Sequence, residues 1–222
     1  ALISISFLKF YKNLVILGFC YNYHMSKSKK WSDFFEKNKD AGPRLYLVNA
    51  LQYFENKSRA LDLGAGTLRD SKYLLAQGFE EVVAVDSEEQ IRTFAEDIDN
   101  LEIIISRFED LNLKENSYDL INAQYSLPFM QKEFFLDFLD KIKLSLKDNG
   151  IFVGTFFGVN DSWNSNEYKT EIFNTKEELL GIFEGFEVIE FLEKEEDKPA
   201  VNEEIKHWHT FHITVKKSIN YE

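Results

Sequence analysis

Residues 59–86 read RALDLGAGTLRDSKYLLAQGFEEVVAVD, and this stretch decides the fold. A short apolar run ends in an acid and is followed by a glycine turn. A helical pattern comes next, then a second apolar run that also ends in an acid. Asp62 stands two residues before Gly64, and Asp86 stands twenty residues after Gly66. That order is the opening of a nucleotide-binding βαβ unit. Glycines at 64 and 66 let the backbone turn sharply and come close to a ligand. The helix that follows aims its free N-terminal amides at the same spot, where they favour a carboxylate. A carboxylate at Asp86 can accept two hydrogen bonds from a ribose diol.

Working outward, apolar runs alternate with helical patterns to the end of the chain, which favours α/β architecture. Strands are expected at 59–63, 82–85, 103–105, 118–123 and 151–157. Residues 31–56 are expected to be helical, broken at Gly42-Pro43. Thr67 with Asp70, Ser87 with Gln90 and Thr175 with Glu178 read as capping boxes. Gly78 suits the position just past a helix end. Phe135, Leu139, Ile142 and Leu146 recur at helical spacing, with Gly150 ending that helix. Two last strands, 186–191 and 207–215, are joined by a charged segment too short to need a helix, so they pair as a hairpin.

The 28-residue opening resembles the first two motifs of class I S-adenosylmethionine-dependent methyltransferases, and YDLINAQYSLPF at 118–129 resembles their fourth-strand motif. The resemblance spans about residues 31–217. It implies a Rossmann-like, mostly parallel seven-stranded sheet with an antiparallel last strand and helices on both faces. It implies S-adenosylmethionine as cofactor and S-adenosylhomocysteine as product. Asp62, Gly64, Ala65, Gly66 and Arg69 would then lie at the methionine end. Asp86 and Ser87 would lie at the ribose, Phe108 and Glu109 in SRFEDL at the adenine, and Gln124 would face the cofactor. Arg107 stands where many relatives have an acid. The family often has a third glycine where this chain has Leu68. FFGVNDSW at 156–163 and KHWHTFH at 206–212 look like motifs of a tellurite-resistance-like small-molecule branch.

On that reading Tyr125, Phe157, Trp163 and His209 would form the substrate side, at the carboxyl ends of the strands. His207, His209 and Tyr125 are the candidate bases. No metal is expected, because strand alternation puts His207 and His209 on one face and His212 on the other. A dinucleotide dehydrogenase would need a small residue at Arg69. A non-catalytic S-adenosylmethionine-binding protein and a protein or RNA methyltransferase remain alternatives to a small-molecule enzyme.

Composition narrows the classes. A chain of 222 residues with 44% apolar residues and 21 Phe can bury one large core. A formal net charge of −12 disfavours grip on nucleic acid phosphates. Cys20 is the single cysteine, so no internal disulfide forms and a reducing, cytoplasmic setting is expected. The expected division is an apolar N-terminal extension at 1–24, read as lying outside the native domain; a helical lid at 25–57, with Trp31, Phe34 and Phe35; and the cofactor-binding domain at 58–217. The extension is interrupted by Lys9, Lys12 and Asn13, so neither a membrane span nor a signal peptide is expected there.

Overall fold

Runs such as LDL at 61–63 and VVAV at 82–85 are apolar at every second position or at all positions, so they suit strands covered on both faces. A computed structural model describes residues 31–54, 56–95, 97–165, 171–200 and 203–218. The expected extension at 1–24 lies outside the described residues. The chain divides into two units between Asp40 and Ala41. In the first unit, residues 31–38 form a helix, α1. Within it Trp31 and Phe34 meet edge to face at 6.0 Å.

The second unit holds the sheet. Its elements are α2 (Leu45–Ala50), β1 (Arg59–Leu63), α3 (Arg69–Ala76), β2 (Glu81–Asp86), β3 (Leu101–Ile105), β4 (Tyr118–Ala123), α4 (Phe135–Ser145), β5 (Leu146–Gly158), β6 (Phe173–Asn174), α5 (Lys176–Ile182), β7 (Phe186–Pro199) and β8 (Ile205–Lys217). The strand order is β3-β2-β1-β4-β5-β8-β7, with β6 paired to β5. The pairs from β3 to β5 are parallel. β8 runs antiparallel to both β5 and β7. The two-residue β6 makes the sheet eight-stranded rather than seven-stranded.

Alternation along each strand sends side chains to two cores. Leu61, Ile121 and Phe152 join Phe135, Phe138, Leu139 and Ile142 of α4 on one face. Ala60, Leu120 and Ile151 join Leu47 of α2 and Leu74 of α3 on the other. Asp62 shares the parity of Ala60, which places it on the α2/α3 face.

Four local expectations are corrected. Helix α3 is capped by Leu68 rather than Thr67, with no side-chain cap bond. Asp70 instead accepts from the Arg44 backbone and guanidinium at 2.8 and 2.6 Å, so a tertiary partner takes the carboxylate the capping box would have used. Residues Glu89–Phe94 form a six-residue 3-10 segment whose N-cap position is Glu88, so the expected Ser87–Gln90 capping box does not form. Helix α4 stops at Ser145, five residues before Gly150, and β5 begins at Leu146 beside β4. The charged linker before His207 is largely strand, since β7 runs to Pro199 in register with β8. The Thr175–Glu178 capping box forms as expected, with bonds of 2.7 and 3.2 Å.

Candidate cofactor and acceptor site

The glycine loop after β1 is built by close contacts. Gly64 has φ of 74°, and a Cβ there would stand 2.3 Å from the Ser126 Cβ in the loop after β4. Its amide and that of Ala65 both donate to the Val85 carbonyl, at 2.8 and 3.0 Å. Asp86 at the end of β2 accepts from the Gly66 amide at 2.9 Å and from the Glu88 amide at 3.0 Å. Burial pushes the Asp86 carboxyl up, while the backbone donors of Gly66, Glu88 and Ser87 oppose it. A carboxylate has about four lone-pair sites, so these three backbone donors leave Asp86 able to accept a further bond.

Leu68 holds the left-handed backbone that a third glycine would take, with φ of 61°. Its side chain is fully buried against Ala65, Ala84 and Ile91, so it packs inward.

Beneath the loop lies a buried polar network. Asp62 accepts from Ser71 Oγ at 2.6 Å and from Asn122 Nδ2 at 2.8 Å. Asn122 also reaches Asp70 at 3.4 Å, and Gln124 Nε2 donates to Asn122 Oδ1 at 2.9 Å. Burial, and then the neighbouring Asp70 charge, push the Asp62 carboxyl up to about 6. Gln124 is buried, and its Oε1 has no hydrogen-bond partner. An unpartnered buried acceptor costs roughly 1–3 kcal/mol. With Asp62 close by in the same network, that pair of acceptors suits a cationic amine. Half-buried Arg69 is held below its usual range, first by burial and then by Arg44, within electrostatic reach of Asp62, Asp70 and Tyr125.

At the adenine end, Glu109 accepts from Gln131 at 2.6 Å and stands 3.7 Å from Arg107. The Phe108 ring stacks on Phe138 at 5.4 Å, so one of its faces belongs to the core.

The substrate side differs from expectation. Phe157 is fully buried, enclosed by Phe129, Trp163, Phe173 and Trp208 at centroid distances of 5.4 to 6.1 Å, so it lines no open space. His209 is also corrected as substrate contact and as base. Its Nδ1 accepts from the Asn160 amide at 3.0 Å, and its Nε2 meets Glu193 at 3.0 Å. A backbone N–H at Nδ1 fixes the tautomer with the proton on Nε2. Glu193, Glu195 and His209 bring ligand atoms within 4.8 Å of one another. The same tautomer leaves His209 no lone pair for a metal there. His207 is exposed and bonded to Asp197 and Glu195, at 2.8 and 3.2 Å, and those acids push its pKa up.

Tyr125 and Trp163 remain half-buried. Tyr125 follows β4 with φ of 56°, and burial first, then Tyr46, pushes its hydroxyl up to about 12. The imidazole it meets is His212, edge to face at 5.9 Å. His212 is stacked on Tyr46 at 3.7 Å and bonded to Thr155 and Thr210. Burial drops its pKa to about 3, so it is neutral. Arg44, Tyr46 and Asn122 are the residues that sequence reasoning left out, and it weighed His212 only as a metal ligand. Asn122 was within reach, lying inside the fourth-strand motif on the parity of Asp62.

The methyltransferase-domain family model matches residues 61–154, which run from β1 through the glycine loop to β5. Over that stretch the chain is similar to a methyltransferase domain. The fold of this domain is shared widely. TehB from Haemophilus influenzae superposes with a TM-score of 0.69 at 20% identity, over 85% of this chain and 67% of that one. The 1,6-didemethyltoxoflavin-N1-methyltransferase of Burkholderia thailandensis, solved with its substrate and S-adenosylhomocysteine, gives 0.62 at 20% identity, over 88% and 90%. The [4+2]-cyclase SpnF gives 0.59 at 14% identity, over 78% and 80%. No curated protein matches the chain.

Proposed function

We propose that the chain transfers a methyl group from S-adenosylmethionine to a small-molecule acceptor. The observation that carries this reading is the pairing of buried Asp62 with the unpartnered Oε1 of Gln124 beneath a glycine loop tied to Asp86. Asp62 and Gln124 would hold the amine of the cofactor, and Gly64, Ala65, Gly66 and Arg69 its carboxylate end. Asp86 and Ser87 would hold the ribose, and Phe108 and Glu109 would flank the adenine. S-adenosylmethionine supplies a methyl group on a sulfonium, so the protein's task is alignment and exclusion of water.

The three candidate bases favour one kind of acceptor. His209 has both nitrogens bonded, His207 sits between two acids, and Tyr125 is protonated at neutral pH. An acceptor that attacks without first losing a proton suits these residues: a thiolate, a chalcogen anion or a ring nitrogen. The net charge of −12 weighs against RNA as the acceptor. Among the described residues no helix is long and apolar enough to cross a membrane.

Because a cyclase shares the fold, binding and turnover need separate tests. Calorimetry should show S-adenosylmethionine and S-adenosylhomocysteine binding and NAD failing to bind. Mass spectrometry should show S-adenosylhomocysteine released in the presence of thiol, selenide or heteroaromatic acceptors. Binding without release across that panel would turn the reading towards a cofactor-binding protein. NAD binding in place of the adenosyl ligands would overturn it.

A further inference from the structure

We propose a second small-molecule site, in the groove between α4 and α5, that takes a neutral, mostly apolar ligand carrying one hydrogen-bond donor. The groove is open to solvent along one side, offers about 540 Å³, and is lined by Phe135, Leu139, Ile172 and Ile182. That volume lies within the usual range of ligand pockets, about 300–1,000 Å³. None of its lining residues belongs to the cradle around Asp62 and Asp86.

Two independent features mark it as more than a gap between helices. Asn174 lines the groove at 7% exposure, and its Oδ1 is buried without a hydrogen-bond partner. Such a carbonyl is costly to leave unmet, and a ligand N–H or O–H would satisfy it. Gly181 also lines the groove, and a Cβ added there would meet nothing within 4 Å. It is therefore not a glycine kept for close packing. Nor is it the left-handed residue that ends α5, since that conformation falls on Gly185, with φ of 85°. Glycine disfavours helix by about 1 kcal/mol relative to alanine. Its effect at this position is to keep the groove open.

Charge sets the ligand's class. Lys132 and Lys143 are offset by Asp140 and Glu178, and Lys143 is already held by Asp140 at 2.6 Å and by the Ile182 carbonyl at 3.1 Å. The lining is neutral in sum, which favours an uncharged ligand over an anion or a cation.

Indole is a suitable probe, being neutral, apolar and armed with one N–H. 1-Methylindole is the matched control without the donor. Titration of the full chain followed by heteronuclear NMR should shift residues of α4, α5 and β6. Binding of 1-methylindole should be about tenfold weaker than that of indole, the loss of one hydrogen bond. Asn174→Leu removes the orphan carbonyl without cutting a bond and should erase the preference between the two probes. Gly181→Leu fills the groove and favours helix, and should abolish binding of both. Excess S-adenosylhomocysteine should leave indole binding unchanged, which separates this site from the cofactor cradle. The proposal is overturned if indole and 1-methylindole bind equally to the unmodified chain, if Gly181→Leu leaves binding intact, or if S-adenosylhomocysteine displaces the probe.

Discussion

Asp86 accepts a hydrogen bond from the Gly66 amide at 2.9 Å, so the acid that ends β2 is also a brace of the glycine loop. Asp86→Ala should therefore damage both binding and fold. Loss of a charge-assisted acceptor should weaken adenosyl-ligand binding by about 1.5–3 kcal/mol. The amides of Gly66 and Glu88 also lose their partner, which should lower stability by about 1–2 kcal/mol. Asp86→Asn keeps one acceptor and should fall between the two. Calorimetry and urea unfolding on the same samples check this. A variant with full stability and weakened binding would show that Asp86 acts on the ligand alone.

Leu68 sets backbone strain against burial. Glycine at its φ of 61° would relieve about 1–2 kcal/mol. Removing a fully buried leucine side chain costs about 2–5 kcal/mol. Burial wins, so Leu68→Gly should be less stable by about 1–3 kcal/mol. Denaturant unfolding reads the sign directly, and a stabilised variant would contradict this balance.

The βαβ opening was legible because its residues serve local geometry: the spacing of Asp62, the glycines and Asp86 is fixed by one turn and one helix. Strands 59–63 and 118–123 fall where their apolar runs place them. What the sequence hid is tertiary. Thr67 and Asp70 carry the letters of a capping box, yet Arg44, 26 residues upstream, takes the acid. His209 and His212 are equally good letters for a base. Only the packing shows that one is bonded at both nitrogens to a loop amide and a hairpin acid, while the other lies on Tyr46. Alternation separated their faces but carried no information on which face held Tyr125.

His212 should make the fold sensitive to acid. Its pKa is depressed from 6.5 to about 3 in the folded chain, so the unfolded chain binds the extra proton between those values. Its contribution is complete above 6.5 and is lost as pH falls towards 3. At pH 5 the loss is about 2 kcal/mol, at 1.36 kcal/mol per pKa unit. Asp62 works in the opposite sense. Its raised pKa means that stability falls as pH rises from 3.8 through about 6. Comparing unfolding at several pH values for the unmodified chain and for His212→Gln isolates the histidine. The variant should lose the acid slope between 6.5 and 3, and an unchanged slope would show that His212 is not its source.

Asp62→Asn should trade function for stability. The amide fits the same space, removes a buried charge and keeps an acceptor for one of Ser71 and Asn122. Stability at pH 7 should be unchanged or higher, while adenosyl-ligand binding should weaken at least tenfold through loss of a charge-assisted bond. Binding to the unmodified chain should also weaken as pH drops below about 6, where Asp62 takes up a proton. Calorimetry across that range checks both. Equal affinity at pH 5 and 7.5 would remove Asp62 from the ligand's surroundings.

Lys206 and Asp161 form a buried ion pair that fastens the loop after β5 to the start of β8. The Lys206 ammonium lies 4.1 Å from the Trp163 ring centroid and 4.2 Å from that of Trp208. Asp161 also accepts from the amides of Trp163 and His209, at 3.0 and 3.2 Å. Breaking one side of such a pair leaves a charge buried without compensation, whereas replacing both sides is far milder. Lys206→Met should therefore cost about 3–5 kcal/mol. The double variant with Asp161→Asn should recover much of that loss, although the amide leaves one of the two backbone donors without its acceptor. The coupling read from the four proteins in a double-mutant cycle should exceed about 2 kcal/mol. If Lys206→Met costs under about 1 kcal/mol and the cycle closes near zero, the aromatic rings and not the ion pair hold this loop in place.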